Sequence, residues 1–492
     1  MPPSFRPTTK LQVTGRKFLV QRLNHALTRH DTSMRHDPER STVQALMVGF
    51  MLAALISGGA LALAYFKPQG LRQNAPIVQS RESLELFIDI DGRLHPAMNL
   101  VSARLIAGRP DEPALVKASE VNNAPRGPLV GIPGAPGRVF QPSQRDAVWA
   151  VCDIAERPGM TDPGLRTAVI AGDQQQIISS EPTAARIVQG PDRATWLLHG
   201  GQRHRLQVSD AALVTGLGLT RYPVIDTITE DLFNAVPQGQ PIRVPAVPDA
   251  GSKTAYPLAP GVVIGSVIRV EQADDDEQWY LALPGGVQPI SPVVASVLRN
   301  VNTYGAAVAP TISPDVVARV PSANPGLDFS AFPDTPLESV SSSDAPVTCW
   351  QWVKRAGEQQ ASSALAFLTT LPLSEEQTRV WRHNLVSNPR MAMYAAPGSG
   401  FFVQTTGSAP RSPAAGTLFW LSDAGVRYGL VTSPNGGDSA PAALGLSSPL
   451  PIPWPVLAGL APGPQLSKQD ALVAHDTLPG NPGAAEIAGG NR

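Results

Sequence analysis

Residues 44–66 read QALMVGFMLAALISGGALALAYF, a run of 23 residues without a single charge. At about 1.5 Å per residue, a helix of that length reaches roughly 34 Å, against a hydrocarbon core of about 30 Å. A buried helix of a soluble protein seldom lacks a polar face over such a length. Gly58-Gly59 would weaken a helix in water but is tolerated in a bilayer. The run is predicted to be a single transmembrane helix, dividing the chain into a short leading segment and a long following part.

The flanks set the expected orientation. Residues 1–43 carry eight Lys/Arg and three Asp/Glu, whereas only Lys67, Arg72 and Arg81 closely follow the run. The positive-inside rule keeps the first segment in the cytoplasm and carries the rest across the membrane. A cleaved signal peptide fits less well, because its apolar region spans roughly 7–15 residues and this one is longer and begins late. Within the leading segment, Val20, Leu23 and Leu27 recur at helical spacing. Phe18 and Leu19 widen the stripe, and Arg16, Lys17, Arg22 and Arg29 surround it. The pattern predicts a basic amphipathic helix that docks through Phe18, Leu19, Leu23 and Leu27 onto the inner membrane surface or a partner. So short a segment has no core of its own.

The net charge is −1, so with the leading segment at +5 the remainder is acidic, which argues against a nucleic-acid surface. Hydrophobic residues make up 42% of the chain, enough for a sizeable core. Fifty prolines and 43 glycines demand short elements and many turns. The expected class is α+β, in several small subdomains. Cys152 and Cys349 both follow the membrane run. In an oxidising envelope two such cysteines pair, closing a long loop that contributes roughly 4–5 kcal/mol. A reactive thiol or a metal site would need a neighbouring base or further ligands, and neither string supplies them.

A repeated pattern organises the exported part. LFIDIDGRLHPAMNLVSARL (86–105), TWLLHGGQRHRLQVSDAAL (195–213), QWYLALPGGVQPISPVVASVL (278–298) and the divergent LFWLSDAGVRYGL (418–430) each begin with an apolar strand-like run. A turn glycine follows in each (Gly92, Gly201, Gly285, Gly425), then an apolar residue five positions on (Ala97, Leu206, Ile290, Leu430). A helix signal comes next, with alanine at 103, 212, 295 and 442. Glycine supplies the positive φ of a tight hairpin. Each strand–turn–strand–helix unit is too small to stand alone, and uneven spacing excludes a regular solenoid.

The expected organisation is a cytoplasmic segment (1–43), the membrane helix (44–66), and a first repeat with linker (67–137). A central domain is split between 138–191 and 320–397, with the second and third repeats (192–319) between its halves. The fourth repeat with a C-terminal segment (398–479) and a disordered tail (480–492) complete it. The split centre holds one cysteine in each half.

No chemical motif emerges. Gly251-Ser252-Lys253-Thr254 lacks the upstream glycine and the Gly-Lys pair of a phosphate-binding loop. Gly437-Asp438-Ser439 reads as a turn, and Gly398-Ser399-Gly400 is not a nucleophile elbow. His199 and His204 offer two metal ligands at most, and the acidic run 274–277 lacks the alternation of a calcium loop. No catalytic residue, cofactor or metal site is assigned, and the sequence leans away from an enzyme.

Several ordered strings together resemble the EccB family, a membrane subunit of mycobacterial type VII (ESX) secretion systems. They are TTKLQVTGRKFLVQRLNHALTRHDTSMRHDP (8–38), FKPQG (66–70), LHPAMNLVSARLIAGRP (94–110), GPLVGIPGAPG (127–137), TCWQW (348–352), SDAGVRYG (422–429) and LSKQDALVAHDTLP (466–479). The resemblance implies a structural core subunit of an inner-membrane secretion complex, working with EccC, EccD and EccE and self-associating through its periplasmic domain. Members are also described as ATPases. No motif here carries that activity, and the motor is expected in the FtsK/SpoIIIE-like EccC partner. Two other classes stay open: an envelope nucleotide hydrolase with a non-standard site, and a cell-wall-binding module.

Overall fold

The computed structural model describes residues 9–30, 32, 38–66, 75–140, 145–156, 164–172, 178, 181–271, 277–432 and 439–478. The acidic residues 274–276, Gly437-Asp438, the Lys67–Gly70 part of the FKPQG string and the tail from 480 lie outside them.

Two helices come first. Helix α1 spans Lys10–Arg29, with the Gln12 side chain accepting the Thr9 amide at its start. His30 ends it in the left-handed conformation. Helix α2 spans Pro38–Phe66 and contains the apolar stretch Ser41–Ala62, mean hydropathy 2.1, none of it buried against the rest of the chain. Among the described residues it is the one helix long and apolar enough to cross a membrane.

The expected α+β architecture follows, with four copies of one unit around a centre. In the first, strands Ile77–Ser80, Leu86–Ile90 and Arg93–Pro96 form an antiparallel meander, helix Leu100–Ala107 crosses over, and Ala114–Val116 returns parallel to the first strand. The same order recurs from Ala184–Gln189 to Asp226–Thr227, from Val267–Glu271 to Thr311–Ile312, and from Gly400–Thr406 to Leu450–Pro453. Parallel return of the fourth strand requires such a crossover. Each unit then runs through a short helix (Ala118–Asn122, Glu230–Ala235, Pro314–Ala318, Trp454–Ala458) back to its own third strand or the end of it. The closing bridges are Ala97 to Val130, Leu206 to Ile242, Val287 to Ser322 and Leu430 to Leu466.

The unit is thus longer than its sequence signature. The predicted hairpin and helix are its middle, preceded by one strand and followed by another strand and helix. The strand Ala184–Gln189, within 138–191, pairs with Thr195–His199 of the second unit. Residues 322 and 338–339 likewise pair with the third and second units rather than with the centre. Three of the turn glycines adopt positive φ: Gly92 (80°), Gly201 (78°) and Gly425 (74°). In the third unit that conformation falls on Gly286 (143°) instead of Gly285, because Gly286 closes the hairpin opposite Leu283.

The centre is a six-stranded sheet in the order Ser362–Leu368, Val347–Lys354, Ala147–Ile154, Thr167–Gly172, Met391–Tyr394, Arg382–Asn384. All eight residues of Ala147–Ile154 are buried. Side chains alternate between the two faces. Trp149, Val151, Trp350 and Trp352 point into the largest core, shared with the second and fourth units. Ala150, Cys152, Ile154, Val347 and Cys349 point to the other. Cys152 and Cys349 stand opposite one another in register and are disulfide-bonded across 197 residues of sequence.

Units pair through their helices. Ala211–Gly216 lies on Pro292–Val301, joining the second and third units around Leu213, Val214, Val293 and Val297. The approach needs glycine, since a Cβ on Gly216 would stand 2.6 Å from the Val297 Cα. The first and fourth units share a core containing Val101, Leu105, Trp420 and Leu444. Strand Ala474–His475 pairs with Leu129–Val130, tying the end of the fold to its start.

Candidate assembly surfaces

Helix α1 presents the residues expected to dock. Leu19, Leu23 and Leu27 are 64%, 61% and 70% exposed and lie one turn apart on a single face. Phe18, 51% exposed, stands about 100° round the helix from Leu19. It lies beside Leu11, two turns back, so the apolar residues form two faces rather than one stripe. Lys10, Arg16, Lys17 and Arg22 share the helix, and no acidic residue lies between 10 and 30.

The second unit is fixed to the central sheet by a residue that sequence reasoning did not single out. Arg186, on Ala184–Gln189, is 2% exposed. It donates to the carbonyls of Val340 (3.0 Å), Ser341 (3.0 Å) and Ala345 (2.6 Å), and to the Thr348 hydroxyl on the central strand. Asp226 lies 3.5 Å away, and the Phe367 ring stacks at 4.8 Å. Burial pulls the arginine pKa below its ordinary value, opposed by the charges of Asp226, Asp153 and Asp344. A buried guanidinium left unpaired would cost several kcal/mol, so this many partners at one point is what makes its burial tolerable.

A second joint lies nearby. Asp153, on the central strand, accepts the Thr229 amide at 3.0 Å, and Arg166 lies 3.9 Å from it. Burial pushes its carboxyl pKa up, opposed by that hydrogen bond and by Arg166. Asp231 is also raised by burial, and accepts from the Thr167 hydroxyl at 3.2 Å.

The histidines weighed as ligands engage backbone. His204 Nδ1 lies 2.8 Å from the Gln240 carbonyl oxygen and His199 Nδ1 lies 3.4 Å from that of Ala184, and burial lowers both pKa values. Among the described residues no three His, Cys, Asp or Glu side chains are grouped to hold a metal. The 251–254 string lies in a loop, where Lys253 bridges Val263 and the Thr254 hydroxyl bonds the Tyr256 carbonyl.

One apolar spanning helix, a basic leading helix and four copies of one α/β unit around a disulfide-stapled sheet define a membrane-anchored repeat protein. The chain belongs to the EccB family, described as type VII secretion system ESX-1, transport TM domain B, whose model matches residues 5–480. It is similar to the ESX-3 secretion system ATPase EccB3 of Mycolicibacterium smegmatis, 40% identical over 494 residues, covering 97% of this chain and 93% of that one. Among solved structures, a chain of an intact ESX-5 inner membrane complex superposes with a TM-score of 0.71 at 35% identity, covering 99% of both chains. An EccB3 dimer from the ESX-3 core complex gives a TM-score of 0.71 at 40% identity, covering 81% of this chain and all of that one.

Proposed function

We propose that this chain is a structural core subunit of a type VII (ESX) secretion complex in the inner membrane. Its β-rich part lies in the periplasm and assembles with further copies, and its N-terminus lies in the cytoplasm. The observation that carries this reading is the joint match of helix and repeat domain, over 99% of both chains, to a subunit of an intact inner-membrane complex. A solved dimer of a relative supports self-association. The charge asymmetry around α2 supports the orientation. The exposed leucines of α1 serve as the cytoplasmic contact with EccC-, EccD- and EccE-type subunits.

Relatives carry the word ATPase in their names. This chain offers that activity no recognisable seat. A phosphate-binding loop aims backbone amides from a helix start, and the 251–254 string leads into no helix. Hydrolysis in the complex is assigned to the EccC partner.

Affinity purification of the tagged full-length protein from its native membrane, in mild detergent, tests the proposal. A megadalton assembly containing EccC, EccD and EccE is expected from the wild type. A Leu19→Asp/Leu23→Asp/Leu27→Asp variant is expected to yield a far smaller species. A lone protein from both membranes would overturn the reading.

A further inference from the structure

The second unit carries a cavity of about 740 Å³. Arg193, Arg205 and Arg243 all line it. They come from three separate places: the turn joining the unit's first two strands, the end of Gln202–Arg205, and the segment returning beside that strand. The bond from the Ile242 amide to the Arg205 carbonyl (3.0 Å) holds the last two side by side. None of the three forms an ion pair within 4 Å among the described residues, and no carboxylate lines the cavity. Asp192 acts electrostatically on Arg205, while its Oδ1 accepts from the Ala194 amide (3.0 Å) and the Trp196 indole (3.2 Å).

Three arginines lining one cavity, with Asp192 offsetting part of the charge on Arg205, leave a local positive field on an otherwise acidic domain. A single carboxylate is satisfied by one arginine fork, whereas a phosphate has oxygens and charge enough for several. Gln207, Ser209 and Gln238 also line the cavity and offer donors and acceptors suited to hydroxyl groups. Leu206 and Ile242 give it an apolar floor. Arg193 itself sits at φ 60°, where a bulky side chain is uncommon. Glycine would relax that backbone, so the side chain at this position is held against a conformational cost.

We propose that the cavity bounded by Arg193, Arg205 and Arg243 is a binding site for a phosphate group carried on a polyol, such as phosphoglycerol. The source is a soluble phosphopolyol or the headgroup of an anionic glycerophospholipid. All of the lining residues come from one chain, so the protein alone is sufficient to test the site.

Full-length protein in phosphatidylcholine nanodiscs would be titrated calorimetrically with sn-glycerol 3-phosphate at low salt. In parallel, its binding to phosphatidylglycerol vesicles would be compared with binding to phosphatidylcholine vesicles. The Arg193→Gln/Arg205→Gln/Arg243→Gln variant is expected to lose at least ~10-fold in affinity, since each charge-assisted fork is strong. Arg193→Gly is expected to lose about threefold while its melting temperature does not fall. Wild-type binding is expected to weaken as salt rises. Binding of the soluble probe that the triple variant loses supports the site with a free ligand, and vesicle binding alone that the variant loses supports it with a lipid. Equal binding by wild type and triple variant, or none by either, overturns it.

Discussion

Replacing both cysteines by alanine tests what the disulfide does. Cys152 and Cys349 are fully buried and already paired in register on adjacent central strands, so the folded sheet needs no covalent help to hold that geometry. The effect is expected in the unfolded chain, where the bond closes a loop of 197 residues. In the chain-entropy treatment such a loop contributes about 5 kcal/mol. The two lost sulfur atoms add of order 1 kcal/mol as a small void. Unfolding entropy runs near 2.1 cal/mol/K per residue, or ~0.8 kcal/mol/K over roughly 400 residues unfolding together. A loss of about 5–6 kcal/mol therefore corresponds to a fall of about 6–8 °C in melting temperature. Calorimetry of the Cys152→Ala/Cys349→Ala protein in detergent measures the shift. Hydrogen exchange then locates it, with 147–154 and 347–354 expected to lose protection first. A shift under about 2 °C would refute the loop-closure reasoning, because the sheet would then be closed by other contacts before and after unfolding.

Gly216→Ala is expected to cost about 1–3 kcal/mol by wedging the second and third units apart. Val297→Ala should not rescue it, because the close atoms include the Val297 Cα and nitrogen, at 2.6 and 2.8 Å. Thermal unfolding of the single and double variants decides this, and full rescue would contradict it. For Asp153, burial raises the folded pKa above the ordinary 3.8, so the folded state binds more protons than the unfolded state between those values. Its contribution to stability therefore falls as pH rises through that window. Asp153→Asn should accordingly gain on the wild type from about pH 4 towards neutrality, as melting curves across that range would show. A gain independent of pH would remove burial as the cause.

The hairpins were legible because two signals coincide in them: glycine at the turn and an apolar strand-like run before it. The strand opening each unit was not legible. Ala184–Gln189 is buried along most of its length, so its pattern does not alternate. The parallel strands Asp226–Thr227 and Thr311–Ile312 are too short to show any period. Arg186 reads in isolation as a solvent-facing charge, and its carbonyl partners lie more than 150 residues away. The arginine-lined cavity was hidden for the same reason, since only the folded return of 242–243 onto 205 brings its members together. Gly285 shows a finer limit, for in a Gly-Gly pair the sequence does not say which residue takes the positive φ.

The order of the strands gives the units unequal roles. The second and third units are inserted between Thr167–Gly172 and Val347–Lys354 of the central sheet, so the disulfide closes the base of that insertion. The first and fourth units flank the sheet in sequence and are closed instead by hydrogen bonds between Ala474–His475 and Leu129–Val130. One closure is covalent and deeply buried, while the other is a two-residue strand pairing beside the shared core of Val101, Leu105, Trp420 and Leu444. Local opening free energies follow buried contacts, so the short pairing of Ala474–His475 with Leu129–Val130 is expected to open before the disulfide-bonded central strands, as hydrogen exchange would show.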